Sequence, residues 1–139
     1  MIRAVIDTNV WVAGILSPDG PPARIVEATL GGRVVPVVSP AILEEYEEVL
    51  GRRELSLPGD DVAALLAYLR LPGEHVIHAD PVEVRRVCAD PDDDIFLATA
   101  LAGAAEYFVT GNAKHFPRSP WQDVRIMEPA RFARLLVAP

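Results

Sequence analysis

The chain has 139 residues, half of them hydrophobic, and this size and composition predict a single globular domain spanning residues 1–139. No apolar run approaches the roughly 20 residues that a membrane-spanning helix needs, so no membrane segment is expected. The single cysteine, Cys88, excludes an internal disulfide and a cysteine-rich zinc site, which favours a cytoplasmic protein. The formal net charge of −7 is the opposite of the balance that nucleic-acid-binding proteins usually show.

Strands and helices are predicted to alternate along the chain. Short apolar runs predict strands, and longer amphipathic runs that begin at Ser, Pro or Asp and end at Gly predict helices. Pro36 counts against a central position for the second strand. The alternation itself predicts an α/β fold with a parallel sheet covered on both faces. The predicted strands are 2–6, 33–38, 75–78, 107–110 and 124–127, and the predicted helices are 10–16, 22–30, 40–50, 60–71, 82–86, 90–102 and 129–137.

Polar triplets follow two of the predicted strands. Asp7-Thr8-Asn9 comes directly after the first strand, and Thr110-Gly111-Asn112 comes at the end of the fourth. In open parallel sheets, ligands bind outside the carboxyl ends of the strands, so both triplets are candidates for a shared site. A turn and a helix cap would also favour these residue types, and this second interpretation stays open at the level of the triplets alone.

A run of acids precedes the helix predicted over 90–102. The residues three, four, seven and eight positions after Asp93 form one apolar helical face, which places Asp93 on the core side and Asp94 about a quarter turn away. Acids in the first turn of a helix interact favourably with the helix dipole, and this interaction is enough to explain Asp90, Asp92 and Asp94. A buried carboxylate is costly without a partner, and a metal ion is one way to offset that cost. The apolar face consists of Phe96, Leu97, Ala100 and Leu101.

The helix predicted over 40–50 carries four glutamates. Glu45 lies nearest its apolar arc, about 90° from the arc's centre at 100° per residue, and Glu47 is only slightly farther away. Mg²⁺ prefers oxygen ligands in octahedral geometry. Carboxylates from separate elements of the fold can surround such an ion. Two such ions about 4 Å apart can cleave a phosphodiester bond. Bound divalent ions would also reverse the local negative charge.

At these residues the sequence resembles the PIN-domain nucleases, and in particular the VapC-like toxins of toxin–antitoxin pairs. The resemblance covers nearly the whole chain and implies a three-layer α/β/α sandwich with a five-stranded parallel sheet. It implies hydrolysis of RNA with Mg²⁺ or Mn²⁺, a homodimer, and inhibition by an antitoxin protein. The matching segments are Val5 to Val10, Ser39 to Leu50, Asp90 to Ala98, and Val109 to Asn112 before His115-Phe116.

The resemblance also assigns roles to individual residues. The metal-binding and catalytic positions of the family match Asp7, Glu45 and Asp93, and a fourth position that is often Asp is Asn112 here. Because an amide is a neutral ligand, one tightly held metal is predicted rather than two. The supporting residues that would orient the carboxylates are Thr8, Asn9, Asp94 and Thr110.

Two other function classes remain as alternatives. A catalytically weak or inert PIN-fold binding module is compatible with Asn112 and with the negative net charge. An aspartyl-phosphate domain is disfavoured, because Thr8-Asn9 stands where a second acid is needed and Lys114, the only lysine, precedes the fifth strand. Trp11 is expected in the core, with base stacking as its alternative role, and His115 is expected to be a loop residue without a metal.

Overall fold

The computed structural model describes residues 1–137, and it contains five strands and six α-helices in that part of the chain. The strands are β1 (Ile2–Ile6), β2 (Val34–Val38), β3 (Ile77–His78), β4 (Tyr107–Val109) and β5 (Arg125–Met127). The helices are α1 (Thr8–Leu16), α2 (Pro21–Leu30), α3 (Pro40–Leu50), α4 (Gly59–Arg70), α5 (Asp94–Ala102) and α6 (Pro129–Leu136). Short 3-10 helices span Arg53–Leu55, Pro91–Asp93 and Ala113–His115.

The five strands form one parallel sheet in the order β3-β2-β1-β4-β5. Successive residues of a strand point to opposite faces of a sheet. All five residues of β2 and the last three of β1 are buried, so helices cover both faces at the centre of the sheet. The predicted three-layer α/β/α fold with a five-stranded parallel sheet is therefore confirmed.

Pro36 lies within a central strand, contrary to the expectation from its missing N–H. Val38 accepts a hydrogen bond from Ala79 N, so Val38 and Pro36, two residues apart, both face β3. The pairing of β2 with β3 begins only at Val37, opposite Ile77. Pro36 therefore stands where the strand has no neighbour on that side, and its lack of a donor costs no ladder hydrogen bond.

Two sequence predictions about the segment before α5 are wrong. Residues 82–86 form an irregular loop rather than a short helix. The helix predicted from Asp90 begins instead as a 3-10 turn over Pro91–Asp93, in which the Asp90 side chain accepts a hydrogen bond from Asp92 N at 2.9 Å. The α-helical part starts only at Asp94.

The core is formed by both faces of the sheet and the helices packed on them. Helix α5 packs against β1, β2 and β4, while α2 packs against β2 and α6. Trp11 is fully buried and makes an edge-to-face contact with Tyr46, with 6.1 Å between ring centroids, which confirms its predicted place in the core. Within residues 1–137, none of the helices has the length and apolar character needed to cross a membrane.

Candidate active site

Asp7 and Thr110 face each other at the carboxyl ends of the two central strands. Ile6 pairs with Val109, and the ladder continues one step further through a hydrogen bond from Asp7 N to Val109 O at 2.9 Å. The Thr110 hydroxyl donates to Asp7 Oδ2 at 2.7 Å, and both side chains are buried. The two polar triplets predicted from the sequence thus meet, and Thr110 fixes the orientation of the Asp7 carboxylate.

Helix α3 is attached to the same edge by two contacts. The Thr8 hydroxyl donates to Glu45 Oε2 at 2.5 Å, and the Tyr46 hydroxyl donates to the carbonyl of Ile6, the last residue of β1. Burial raises the pKa of Tyr46 well above its ordinary value, so the hydroxyl stays a donor. Glu45 is therefore the glutamate of α3 that reaches the site, and the Tyr46 hydrogen bond ties α3 to the end of β1. The sequence presented Tyr46 only as an apolar position.

The three carboxylates influence one another through their charges. Burial raises the pKa of Asp7, and the charges of Asp93 and Glu45 raise it further, although the hydrogen bond from Thr110 acts in the opposite direction. Burial also raises the pKa of Asp93; the Glu45 charge adds to this effect, while the charge of His115 opposes it. The structure therefore places Asp7, Glu45 and Asp93 within electrostatic reach of one another, with His115 beside them.

Asp94, and not Asp93, is the acid that the core buries. Asp94 is 1% exposed, and its Oδ1 accepts hydrogen bonds from Val87 N at 3.0 Å and Cys88 N at 2.7 Å. Burial alone would raise its pKa, but these N–H groups hold the pKa of Asp94 below its ordinary value. The prediction that Asp93 faces the core was wrong, since Asp93 is only partly buried. Asp94 therefore holds the loop before α5 in place through these two hydrogen bonds. Asp93 does not take part in them and stays at the carboxyl edge of the sheet.

The remaining predicted supporting residues are the two asparagines, which border the site on either side. Asn9 is exposed at the first turn of α1, while Asn112 is partly buried and its backbone N–H donates to Thr110 Oγ1 at 3.0 Å. Thr110 therefore connects the Asn112 turn to the Asp7 carboxylate. The exposed residues Lys114, His115 and Arg118 follow Asn112 within six positions. A turn signal after the fourth strand could have pointed to them, but no pattern in the sequence linked them to the acids.

A divalent metal fits this site by the chemistry of its donors. Asp7, Glu45 and Asp93 supply only carboxylate oxygens, the ligands that Mg²⁺ and Mn²⁺ prefer. None of the three forms an ion pair within residues 1–137, so a cation would relieve their mutual repulsion. In the same part of the chain, no three His, Cys, Asp or Glu side chains converge closely enough to form a ready-made metal site. Because threonine hydroxyls hold Asp7 and Glu45, metal binding would require a movement of the Asp93 side chain toward them.

A family model and a curated relative each match most of the chain. The PIN domain family matches residues 3–114, a stretch that contains most of β1, all of α3, α5 and β4, and all three carboxylates. The chain belongs to the PIN-domain family. A curated relative, "Uncharacterized protein MJ1680" of Methanocaldococcus jannaschii, is 30% identical over 112 residues, which cover 80% of this chain and 71% of that protein. PIN domains are generally nucleases, and they typically use divalent metal ions.

Proposed function

We propose that this PIN domain is a Mg²⁺- or Mn²⁺-dependent endoribonuclease that hydrolyses RNA phosphodiester bonds. The observation that carries the proposal is the set of three charge-coupled carboxylates, Asp7, Glu45 and Asp93, at the carboxyl edge of the sheet. Two of them are held by threonine hydroxyls, so their orientation is fixed before any ligand binds. Fixed carboxylates from separate elements are the arrangement that metal-assisted phosphodiester cleavage requires.

Each residue of the site has a definable task in this reaction. Asp7, Glu45 and Asp93 would hold the metal, which when bound supplies a Lewis acid and lowers the pKa of a water molecule. Thr110 and Thr8 keep Asp7 and Glu45 in place, as outer hydrogen-bond partners do in metal sites generally.

The RNA strand needs positive charge close to these acids. Lys114, His115 and Arg118 are exposed on the segment that leaves β4 at the site edge. Their charges would contact the phosphates that flank the scissile bond. Asn112, whose backbone is tied to Thr110, would hold a water or a weaker second ion.

Cleavage assays with defined metals test the proposal. RNA and DNA oligonucleotides of the same sequence are incubated with the protein in Mg²⁺, Mn²⁺ or EDTA. We expect RNA cleavage only with metal, and a loss on the order of a thousandfold in D7N, because several kcal/mol of metal stabilisation disappear. The matched control is D61N, which removes an exposed acid in the first turn of α4 and is expected to retain activity.

One alternative has specific support and the same experiments address it. Asn112 in place of a fourth acid, and the lack of a converged metal cluster within residues 1–137, favour a catalytically inert PIN-fold binding module. Calorimetric titration with Mn²⁺ separates the two. An absence of Mn²⁺ binding together with an absence of cleavage would establish the inert module and overturn the nuclease.

The biological setting is a further part of the proposal. We propose a cytoplasmic toxin of a toxin–antitoxin pair that acts as a homodimer, on the basis of the resemblance of Val5 to Val10 and Asp90 to Ala98 to that subgroup. Expression of the protein alone should arrest growth, and D7N should not. A short neighbouring reading frame whose product restores growth would support the toxin role, and growth unaffected by the active nuclease would contradict it.

A further inference from the structure

A mostly apolar pocket of about 350 Å³ opens at the carboxyl edge of the sheet. Its wall includes Asn9 and Ala13 of α1, Pro21 of α2, Gly111, and Ala130 of α6. Asn9 is two residues from Asp7, and Gly111 is next to Thr110, so the pocket lies at the same edge of the sheet as the proposed active site. The volume lies at the lower end of the range of about 300–1,000 Å³ that small-molecule pockets occupy.

Two of the lining residues have polar side chains, although almost all of the wall itself is apolar. These are Asn9 and Glu128, both exposed. Neither side chain makes a hydrogen bond within residues 1–137, and Glu128 precedes α6 without capping it. The other lining residues are aliphatic, proline or glycine. Such a pocket offers apolar walls to a planar ligand, and the exposed side chains of Glu128 and Asn9 are close enough to turn toward the edge of that ligand.

Two cations lie about one helical turn beyond the pocket. Arg24 follows Pro21 by three residues in α2, and Arg134 follows Ala130 by four in α6. Residues at these spacings share a helix face. Both arginines are exposed, and neither forms an ion pair with another described residue. A strand that leaves the pocket along α2 and α6 would therefore meet free guanidinium groups suited to phosphate.

We propose that this pocket holds a nucleobase of the RNA strand next to the scissile bond, and that Glu128 makes guanine the preferred base. The inference rests on the proposed ribonuclease function. A carboxylate can accept two parallel hydrogen bonds from guanine, whose Watson–Crick edge carries the N1–H and N2–H donors side by side. Adenine, cytosine and uracil do not present two adjacent donors there. The aliphatic and proline walls cover the base, and Arg24 or Arg134 binds the next phosphate.

A binding experiment without catalysis tests the pocket directly. The four nucleoside monophosphates are titrated into the metal-free protein, and backbone amide shifts are followed by NMR. We expect the largest shifts at Ala13, Gly111 and Ala130, and a guanosine monophosphate affinity at least about fivefold above the others. Uniform affinities, or shifts confined to other surfaces, would overturn the assignment.

Two variants and a control make the test specific. A13L places a larger side chain into the pocket from an exposed helical position, and E128Q replaces the double acceptor by an amide with one acceptor oxygen. A13L should abolish binding, while E128Q should remove the preference for guanine and keep weak binding. The control A63L makes the same change at an exposed position of α4 and should bind as the wild type does. Thermal unfolding verifies that each variant is folded.

A cleavage experiment separates this inference from the proposed function. Oligonucleotides that contain a single guanine are expected to be cut next to it, with kcat/KM reduced about tenfold or more in A13L. If A13L and E128Q cleave at the same positions and rates as the wild type, the proposed base pocket is wrong and the proposed nuclease function is unaffected. Selective guanosine monophosphate binding at the pocket without cleavage of any RNA would support the pocket and overturn the nuclease.

Discussion

The Thr110 hydroxyl can be removed with almost no change in shape by the substitution T110V. In the wild type this hydroxyl donates to Asp7 Oδ2 at 2.7 Å and accepts from Asn112 N at 3.0 Å. The side chain is 0% exposed, so water cannot replace it. The substitution therefore leaves one buried carboxylate oxygen and one backbone N–H without this partner, while the sheet and the carboxylates themselves remain.

The expected magnitudes follow from these two hydrogen bonds. Unsatisfied buried groups cost about 1–3 kcal/mol, which corresponds to a fall of roughly 3–10 °C in the thermal midpoint for a domain of this size. Residues that hydrogen-bond to metal ligands typically contribute 10- to 100-fold in metal affinity or activity, so Mn²⁺ affinity should fall by about that factor. Because the Thr110 hydrogen bond lowers the pKa of Asp7, its loss should also shift the pH profile of cleavage upward.

A matched control separates the effect on the site from the effect on stability. T99V removes another fully buried threonine hydroxyl, which donates to Ser39 Oγ at 2.9 Å inside the core. Both variants should lose stability, but T99V should bind Mn²⁺ as the wild type does. Mn²⁺ titration by calorimetry, thermal unfolding and the pH profile of cleavage are measured for both. Equal Mn²⁺ affinities in T110V and T99V would refute the assigned role of Thr110.

Three further substitutions test the charges of the site. D7N should raise the thermal unfolding midpoint of the metal-free protein at pH 7 by roughly 3–5 °C, because burial and neighbouring acids destabilise ionised Asp7. The same substitution should abolish stabilisation by Mn²⁺. Thermal unfolding with and without Mn²⁺ measures both effects. N112D adds a fourth carboxylate at the edge and should tighten Mn²⁺ binding about tenfold, as calorimetry would show. D94N should lower the free energy of unfolding at pH 7 by about 2 kcal/mol without affecting Mn²⁺ affinity, because it weakens the acceptor of two backbone N–H groups. Folding lowers the pKa of Asp94 below its ordinary value of 3.8. The stabilisation of the fold by ionised Asp94 is therefore present above pH 3.8 and is lost as the pH falls toward the lower pKa of the folded state. Denaturation curves should therefore show the difference between wild type and D94N narrowing in acid, and a constant difference would contradict the assigned charge.

The elements and the edge of the sheet could be predicted from local patterns. Buried apolar runs that end in polar triplets indicated both β1 and β4, and parallel topology then required the triplets to meet. Glu45 could be favoured only weakly, because a helical wheel says nothing about a partner on another element. The partner is Thr8, which lies 37 positions away in the chain.

The choice between Asp93 and Asp94 shows where local reasoning fails. The helical wheel assumed a regular α-helix through Asp93, but the turn over Pro91–Asp93 is a 3-10 helix, which changes the phase of the side chains. Asp94 can be buried because the backbone N–H groups of Val87 and Cys88 donate to its carboxylate. These two residues belong to an irregular loop, and the sequence had predicted a helix over 82–86 just before them. The family resemblance still selected Asp93, which the structure places near Glu45 and His115.

The net charge of −7 makes RNA binding a question of where the charges lie. The acids Glu47 and Glu48 of α3 are ion-paired with Arg70 and Arg52, whereas the site carboxylates are not paired within the described chain. The metal-free site would therefore repel an RNA strand. We expect RNA affinity to rise about tenfold or more when Mn²⁺ binds, because the ion offsets most of the negative charge of the three carboxylates and can itself bind a phosphate oxygen. Fluorescence anisotropy with a non-hydrolysable RNA measures this, and D7N should lose the metal effect. An affinity independent of Mn²⁺ would mean that the strand is held away from the carboxylates.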